Sequence, residues 1–248
     1  MSAVGTLTWR SLVQVRHNPM ELIDLTIQPI IFLLLFTYVF GGAIAGSTAE
    51  YLTFALPGLI VQNSLFATMT TGIGIASDLH KGVYDRLLSL PISRAAPLSG
   101  RIVADTVKQA WAIALLLGLG AVLGFRITTG VPEALAAVAL LLGFGLAVSW
   151  VAVLIGTVVE EPEKVQVFAF VVLMPLTFTS NAFVRTDTMP SWLKAWADVN
   201  PVSKLADAVR GLLNGGEVVE PLAWSLGWAA LITAVFMPLA VRAVARRS

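Results

Sequence analysis

The sequence predicts an all-α polytopic membrane protein with six transmembrane helices. Of its 248 residues, 57% are hydrophobic and 12% are charged, whereas a soluble domain carries roughly 25% charged residues. Charge-free apolar runs recur along the chain, and a helix needs roughly 20 such residues to cross about 30 Å of hydrocarbon. The net charge is only +1, which gives no reason to expect a nucleic-acid partner. With no cysteine in the chain, disulfides, thiolate metal sites and cysteine nucleophiles are excluded.

The chain begins with an amphipathic stretch, which we predict to be an interfacial helix over residues 3–18. Its apolar face carries Val4, Leu7, Leu12 and Val15. The next four residues, Asn18-Pro19-Met20-Glu21, combine an N-cap, a proline at the first helical position and a glutamate at the third. This pattern predicts that a new helix starts there.

Six apolar segments predict membrane spans over residues 22–45, 51–77, 99–125, 134–159, 164–184 and 221–242. The segment from Ser47 to Glu50 is a capping box that opens the second span. The third span must start near residue 99 to be long enough, which places Arg101, Asp105 and Lys108 in its first turns. Arg101 and Asp105 are four residues apart and are predicted to pair, as a structural pair or as part of a gate. Lys108 is predicted to extend toward the membrane surface.

The distribution of Lys and Arg predicts the orientation of the chain. Six spans place both termini on one side of the membrane together with the loop over residues 78–98. That side holds eleven of the sixteen Lys and Arg residues, and the opposite side holds five. The positive-inside rule therefore predicts cytoplasmic termini.

Two polar segments between the spans have a helical pattern of their own. In the loop over residues 78–98, Val83, Leu87 and Leu90 share one face of a short amphipathic helix that Pro91 ends. On the opposite side, the segment over residues 185–220 carries Trp192 and Trp196 on one face. This pattern predicts external helices that lie in the interface or dip back into the membrane.

The chemistry needed for a membrane enzyme or for ATP binding is missing from the sequence. No G-x-x-x-x-G-K-[ST] phosphate loop occurs, so no ATP site is expected on this chain. The two histidines, His17 and His80, lie in polar segments outside the spans, which leaves no imidazole for an intramembrane protease or metal site. We therefore predict a non-catalytic chain that holds no metal.

Polar and aromatic residues at membrane depth are candidates for a translocation path through the second and fifth spans. The alternative for these side chains is hydrogen bonding and packing between helices alone. The candidates are Gln62, Asn63, Phe66, Thr70, Phe170, Thr177, Phe178 and Asn181.

The chain resembles the ABC type-2 exporter permeases, specifically the daunorubicin-resistance branch of drug-efflux membrane subunits, because it carries several of their motifs in the same order. The first motifs run from Gly82 to Arg94 (GVYDRLLSLPISR) and from Pro97 to Asp105 (PLSGRIVAD). The later ones are PLTFTSNAFV from Pro175, MPSWL from Met189, NPVS from Asn200 and AVRGL from Ala208. The resemblance covers nearly the whole chain.

The resemblance implies a single transmembrane domain with an N-terminal connecting helix, a coupling helix in the first cytoplasmic loop and external re-entrant helices. It implies that ATP and Mg²⁺ are bound by separate cytoplasmic ATPase subunits, that two identical or homologous permeases form the path, and that the protein lies in the bacterial inner membrane. The implied cargo is a hydrophobic or amphipathic drug or a lipid. The residues implied to couple to the ATPase are Val83, Tyr84, Asp85, Arg86, Leu87, Leu88, Leu90, Pro91 and Arg94.

An alternative hypothesis is a membrane enzyme or assembly factor whose basic cytoplasmic loop binds anionic lipid headgroups. Such binding would weaken steeply with salt and would not need the leucines of the loop, whereas protein docking would depend on them. A loop that is only a solvated connector is harder to reconcile with its apolar stripe.

Overall fold

The computed structural model of this protein describes residues 3–83, 96–159 and 161–246. The described part of the chain is built from helices and contains no strand. In chain order the helices are α1 (Ala3–His17), α2 (Pro19–Phe40), α3 (Thr48–His80), α4 (Ala96–Val122), α5 (Val131–Val159), α6 (Pro162–Phe178), α7 (Ser191–Val199), α8 (Pro201–Asn214) and α9 (Val219–Ala245).

Local capping signals start several of these helices. The Asn18 side chain accepts a hydrogen bond from the backbone N–H of Glu21 at 3.5 Å, and α2 begins at Pro19. The hydroxyl of Ser47 accepts one from the N–H of Glu50 at 3.1 Å, which confirms Ser47 as the N-cap of α3, while the Glu50 carboxylate pairs with Arg185. Each cap satisfies an N–H group that has no partner within its own helix.

Helix α2 changes its winding along its length. Two π-helical turns, Ile23–Ile27 and Phe36–Phe40, flank an α-helical segment over Gln28–Leu35. Pro29 lies in the first turn of that segment and lacks the N–H group that a regular helix would use. A short α-helix, Gly41–Ala45, follows and ends at Gly46 with a positive φ of 73°.

Five of the described helices are long and apolar enough to cross a membrane: α2, α3, α4, α5 and α9. The fifth predicted span, over residues 164–184, coincides in part with α6, which has 17 residues. At 1.5 Å per residue, α6 is about 26 Å long, slightly less than the hydrocarbon thickness. The segment that follows it, up to Arg185, is not helical.

Helix α3 is the centre of the bundle. In its most apolar window 72% of the residues are buried, and it packs against α4, α5, α6 and α8. Small residues permit the closest approaches. A Cβ atom on Gly72 would lie 2.6 Å from the carbonyl oxygen of Ala152 on α5, and one on Gly156 would overlap the carbonyl oxygen of Gly72. Backbone contact of this kind stabilises helix pairs in lipid, where no hydrophobic effect drives them together.

Different helices lie at the two ends of the bundle. At one end, which we call the loop end, α3 finishes and α4 begins. Leu98 of α4 packs there in one cluster with Ala240 and Val244 of α9, and Gly100 lies against Leu7 of α1. Helices near both termini therefore meet the same end. Helices α7 and α8 lie at the opposite end, which we call the α7–α8 end.

Candidate functional site

A cleft lies between α2, α3 and α6. It encloses about 590 Å³, including space open to the outside. Its lining is mostly apolar, with three uncharged polar side chains and four phenylalanines. The lining residues are Gln28, Pro29, Phe32, Leu59, Gln62, Asn63, Phe66, Leu116, Phe170, Met174 and Phe178.

The chemistry of this cleft suits an apolar or amphipathic molecule. The rings of Phe66 and Phe170 meet edge to face with centroids 5.7 Å apart and an interplanar angle of 74°. Such rings offer flat apolar contact, while Gln28 and Gln62 supply amide groups that can orient a polar substituent. A concave, mainly apolar site with few polar groups is typical of small-molecule pockets.

Five of the eight residues predicted from the sequence as path candidates meet at this cleft: Gln62, Asn63, Phe66, Phe170 and Phe178. The other three lie elsewhere. Thr70 is exposed on α3, and Thr177 is fully buried with its hydroxyl donating to the carbonyl of Leu173. Asn181 lies beyond α6 and donates to Asp207 of α8 at 2.8 Å.

Sequence reasoning missed the contribution of α2 to the cleft. Gln28, Pro29 and Phe32 form one wall. The signal that was present is a glutamine next to a proline in the middle of an apolar run, since both residues are rare where a helix faces only lipid.

A cluster of five charged side chains, which we call the charge cluster, joins three helices near the loop end. Lys108 of α4 lies 2.8 Å from Glu21 of α2 and 3.1 Å from Asp105, one turn below it on α4. Arg101 lies 3.6 Å from Asp105 and 3.3 Å from Asp78 of α3. The pair of Arg101 and Asp105 predicted from the sequence is therefore part of a longer chain of ion pairs.

The inner members of the charge cluster are largely shielded from solvent. The side chains of Asp105 and Lys108 are 9% and 11% exposed, and Thr71 of α3 donates to Asp105 at 2.6 Å. Lys108 therefore reaches Glu21 in the first turn of α2, and its extension toward the membrane surface stays a prediction. Charges in such a place persist because each has an opposite partner.

Glycine makes room for the charge cluster on α3. A Cβ atom on Gly74 would overlap the guanidinium group of Arg101. Because Gly74 has no side chain, the guanidinium group of Arg101 lies directly against the backbone of α3. It also donates a hydrogen bond to the carbonyl of Thr70 at 3.3 Å.

A second group of polar contacts lies at the α7–α8 end and is centred on Arg210. Arg210 of α8 donates to Asp207 at 2.6 Å, to the carbonyl of Phe54 at 3.2 Å and to the carbonyl of Asn181 at 3.3 Å. Its guanidinium also lies over the ring of Phe54, 4.2 Å from the centroid. Burial lowers the pKa of Arg210, and the carboxylate of Asp207 opposes this shift. One side chain thus ties α8 to α3 and to the segment after α6.

Most of the predicted coupling segment lies outside the described residues. This applies to Tyr84, Asp85, Arg86, Leu87, Leu88, Leu90, Pro91 and Arg94. Val83 is described and is partly exposed, directly after Gly82, whose φ is +63°.

These observations define a class before they define a family. A helical bundle with five helices long and apolar enough to cross a membrane and an apolar cleft among its helices defines a multi-pass membrane protein. The sequence model of the ABC-2 type transporters matches residues 2–214. The chain belongs to this family, and it is the membrane subunit of an ABC exporter.

Individual relatives extend the match over nearly the whole chain. The daunorubicin resistance ABC transporter permease protein DrrB1 of Streptomyces coeruleorubidus is 43% identical over 242 residues, covering 98% of this chain and 86% of that protein. The probable doxorubicin resistance ABC transporter permease protein DrrC of Mycobacterium tuberculosis is 31% identical over 245 residues, covering 94% of this chain and 85% of that protein. The putative transport permease ycf38 of Cyanophora paradoxa is 27% identical over 212 residues, covering 84% of this chain and 73% of that protein.

Proposed function

We propose that this permease moves a hydrophobic or amphipathic molecule out of a bacterial cell through the cleft between α2, α3 and α6. The observation that carries the proposal is the lining of the cleft, where four phenylalanines accompany three uncharged amides. Daunorubicin, named in the description of the Streptomyces coeruleorubidus relative, combines a flat aromatic body with polar groups. We therefore propose amphipathic aromatic drugs as the cargo. Lipids, which are also amphipathic, are the second candidate.

The energy for transport comes, in this proposal, from separate ATPase subunits that bind ATP and Mg²⁺ in the cytoplasm. The amphipathic segment from Val83 to Leu90 docks on them, with its apolar side chains inward and Arg86 paired to an acidic rim. Asp78 and Arg101 lie on either side of this segment and join each other at 3.3 Å. A displacement of this segment would therefore first change the ion pairs of the charge cluster.

The charge cluster offers a route from the docking segment to the cleft. It runs from Arg101 through Asp105 and Lys108 to Glu21, and Glu21 lies at the start of α2, which forms one wall of the cleft. We therefore assign the pair of Arg101 and Asp105 to coupling between the ATPase and the path.

The assembly we propose is a dimer of this permease with itself or with a homologous chain. The cleft opens on the surface shared by α2 and α6, where Phe32, Phe170 and Phe178 are each between 41% and 49% exposed. A second permease placed there would close the path on its open side. Each chain forms one transmembrane domain that crosses the membrane six times, with α6 as the fifth crossing and both termini in the cytoplasm.

The helices outside the spans take the remaining roles of the proposal. Helix α1 is the interfacial connecting helix, and α7 with α8 are the external re-entrant helices. Trp192 of α7 is 72% exposed, as expected for an aromatic side chain at the lipid headgroups.

The first experiment is a pull-down of the tagged permease from gently solubilised membranes, with mass spectrometry and an ATPase assay of the copurifying chains. A stoichiometric nucleotide-binding subunit supports the proposal, and a second permease species shows a heterodimer. If the permease is isolated alone from intact membranes, the proposed partner is wrong.

Substitutions in the docking segment separate protein docking from lipid binding. We expect Arg86→Ala and Leu87→Asp to abolish stimulation of the partner ATPase while the permease remains inserted. If the loop instead binds anionic lipid headgroups, its binding to vesicles will fall steeply with salt and will not respond to Leu87→Asp.

The cleft is tested with inside-out vesicles that contain the permease and its ATPase, with daunorubicin as the probe. We expect Phe66→Ala to lower ATP-dependent uptake several-fold, because it removes one of the two rings that meet edge to face. Phe168→Ala is the matched control, since Phe168 is 48% exposed on α6 and does not line the cleft. Equal losses in both variants would contradict the assignment of the cleft.

A further inference from the structure

A chain of stacked phenylalanines continues from the cleft toward the α7–α8 end. Phe32 of α2 and Phe178 of α6 line the cleft. Phe36, one helical turn beyond Phe32, lies 6.1 Å from it between ring centroids. Phe183, in the segment after α6, lies 5.3 Å from Phe178. Phe36 and Phe183 stack on each other at 4.8 Å with an interplanar angle of 27°, so this pair joins α2 to the segment after α6 just beyond the residues that line the cleft.

Phe183 is held firmly on one side of this pair. Its side chain is 5% exposed, and its carbonyl accepts a hydrogen bond from the hydroxyl of Tyr51 on α3 at 3.3 Å. The preceding residue, Ala182, rests against α3 so closely that a Cβ atom on Gly58 would overlap its carbonyl oxygen. The segment that carries Phe183 is therefore fixed to the central helix.

Phe36, in contrast, lies in a part of α2 with irregular helical winding. It begins the second π-helical turn of α2, Phe36–Phe40, and such turns are rare and occur often at functional sites. The next side chain, Thr37, is 3% exposed and its hydroxyl makes no hydrogen bond to any residue that the structure describes. A change from π to α winding removes one residue from the turn and rotates the side chains around the helix axis.

We propose that Phe36 and Phe183 form the outer gate of the cleft, with Phe183 as the fixed half and Phe36 as the moving half. Stacked, the two rings separate the cleft from the aqueous side at the α7–α8 end. Rewinding of the π-helical turn moves Phe36 away and opens the cleft on that side. This inference rests on the proposed function, in which the cleft is the export path and the α7–α8 end faces outward.

The test uses the fact that the chain contains no cysteine, so that single cysteines report one position each. Gln62→Cys places a thiol in the cleft, since Gln62 is 7% exposed and lines it. The probe is a membrane-impermeant cationic methanethiosulfonate added to right-side-out vesicles that contain the dimeric permease. We expect slow labelling of Gln62→Cys alone and at least tenfold faster labelling when Phe183→Ala or Phe36→Ala is added.

Two further variants separate a gate from a general loosening of the bundle. Phe183→Leu keeps an apolar side chain of substantial volume and should keep labelling slow, and Phe168→Ala removes a ring that is exposed elsewhere on α6 and should change nothing. Labelling that stays slow in both Phe183→Ala and Phe36→Ala, or that accelerates equally in Phe168→Ala, would overturn the gate.

A second reporter distinguishes failure of the gate from failure of the proposed orientation. Glu50 has a side chain that is 58% exposed at the α7–α8 end, and Glu50→Cys should be labelled rapidly in right-side-out vesicles. If Glu50→Cys is labelled only in inside-out vesicles, the proposed orientation is wrong. In that case the labelling rates of Gln62→Cys with and without Phe183→Ala are compared in inside-out vesicles, and this comparison still tests the gate. The measurement needs neither ATP nor cargo.

Discussion

Replacing Arg210 by alanine should destabilise the permease far more than replacing Arg185, although both arginines lie near the same ring of Phe54. Arg210 makes three hydrogen bonds, to Asp207 and to the carbonyls of Phe54 and Asn181. Its side chain is 17% exposed. Arg185 pairs with Glu50, and both of those side chains are more than half exposed, at 59% and 58%.

The expected magnitudes follow from this difference in burial. Removing one partner of a buried ion pair costs about 3–5 kcal/mol, because the other partner stays buried without compensation. Asp207 is 34% exposed and keeps the amide of Asn181, so we expect the lower part of that range, about 3 kcal/mol, for Arg210→Ala. An exposed ion pair contributes only about 0–1 kcal/mol, and this is the expectation for Arg185→Ala.

The assay is thermal unfolding of the purified permease in one detergent at one scan rate, since membrane proteins commonly unfold irreversibly. For a chain of this size about 1 kcal/mol corresponds to roughly 2–4 °C in the midpoint. Arg210→Ala should therefore lower the midpoint by roughly 6–12 °C, and Arg185→Ala by no more than roughly 4 °C. The double variant Arg210→Ala with Asp207→Asn should recover part of the loss.

Equal midpoints for Arg210→Ala and Arg185→Ala would refute the reasoning. They would show that the hydrogen bonds from α8 to α3 and to the segment after α6 do not hold this end of the bundle together. A double variant no more stable than Arg210→Ala would show that the uncompensated carboxylate of Asp207 is not the source of the cost.

Two glycine substitutions on α5 should have opposite effects in the same assay. Gly156→Ala should lower the free energy of unfolding by about 1–3 kcal/mol, because its Cβ atom would overlap the backbone of Gly72. Gly143→Ala should raise it by about 0.5–1 kcal/mol, because a Cβ atom at that position would meet nothing within 4 Å. A destabilised Gly143→Ala would contradict this account of the packing. Gly74→Ala should displace the guanidinium of Arg101, which is flexible, and so change the free energy of unfolding by less than about 1 kcal/mol. The same variant should strongly reduce stimulation of the partner ATPase, and unchanged stimulation would argue against coupling through the charge cluster.

The sequence predicted those features of the fold that depend on residues close together in the chain. Examples are the caps at Asn18 and Ser47 and the helical structure of the long apolar runs, which are set by local hydrogen bonding and by the length of each run. The end of α6 at Phe178 was not predicted, because the run without charged residues continues to residue 184. Apolarity gives the depth of a segment in the membrane but not its winding.

The candidate site was predicted only in part, for a related reason. Gln62, Asn63 and Phe66 follow one another on α3, so the sequence already suggested a polar and aromatic patch there. The glutamine next to a proline in α2 marked a polar site in that helix, but it did not show that α2 would form the wall facing α3. Nothing local indicated that Asn181 would lie away from the cleft and donate to Asp207.

The sequence by itself determined the class of this protein, a helical membrane protein that carries the motifs of an exporter permease, because hydrophobicity, charge placement and motifs are properties of the chain alone. Only the tertiary structure decided which residues meet. Lys108 finds Glu21 across 87 positions of sequence, and Phe36 finds Phe183. Such pairs depend on the tilt and rotation of each helix, which packing against neighbouring helices sets and hydrophobicity does not.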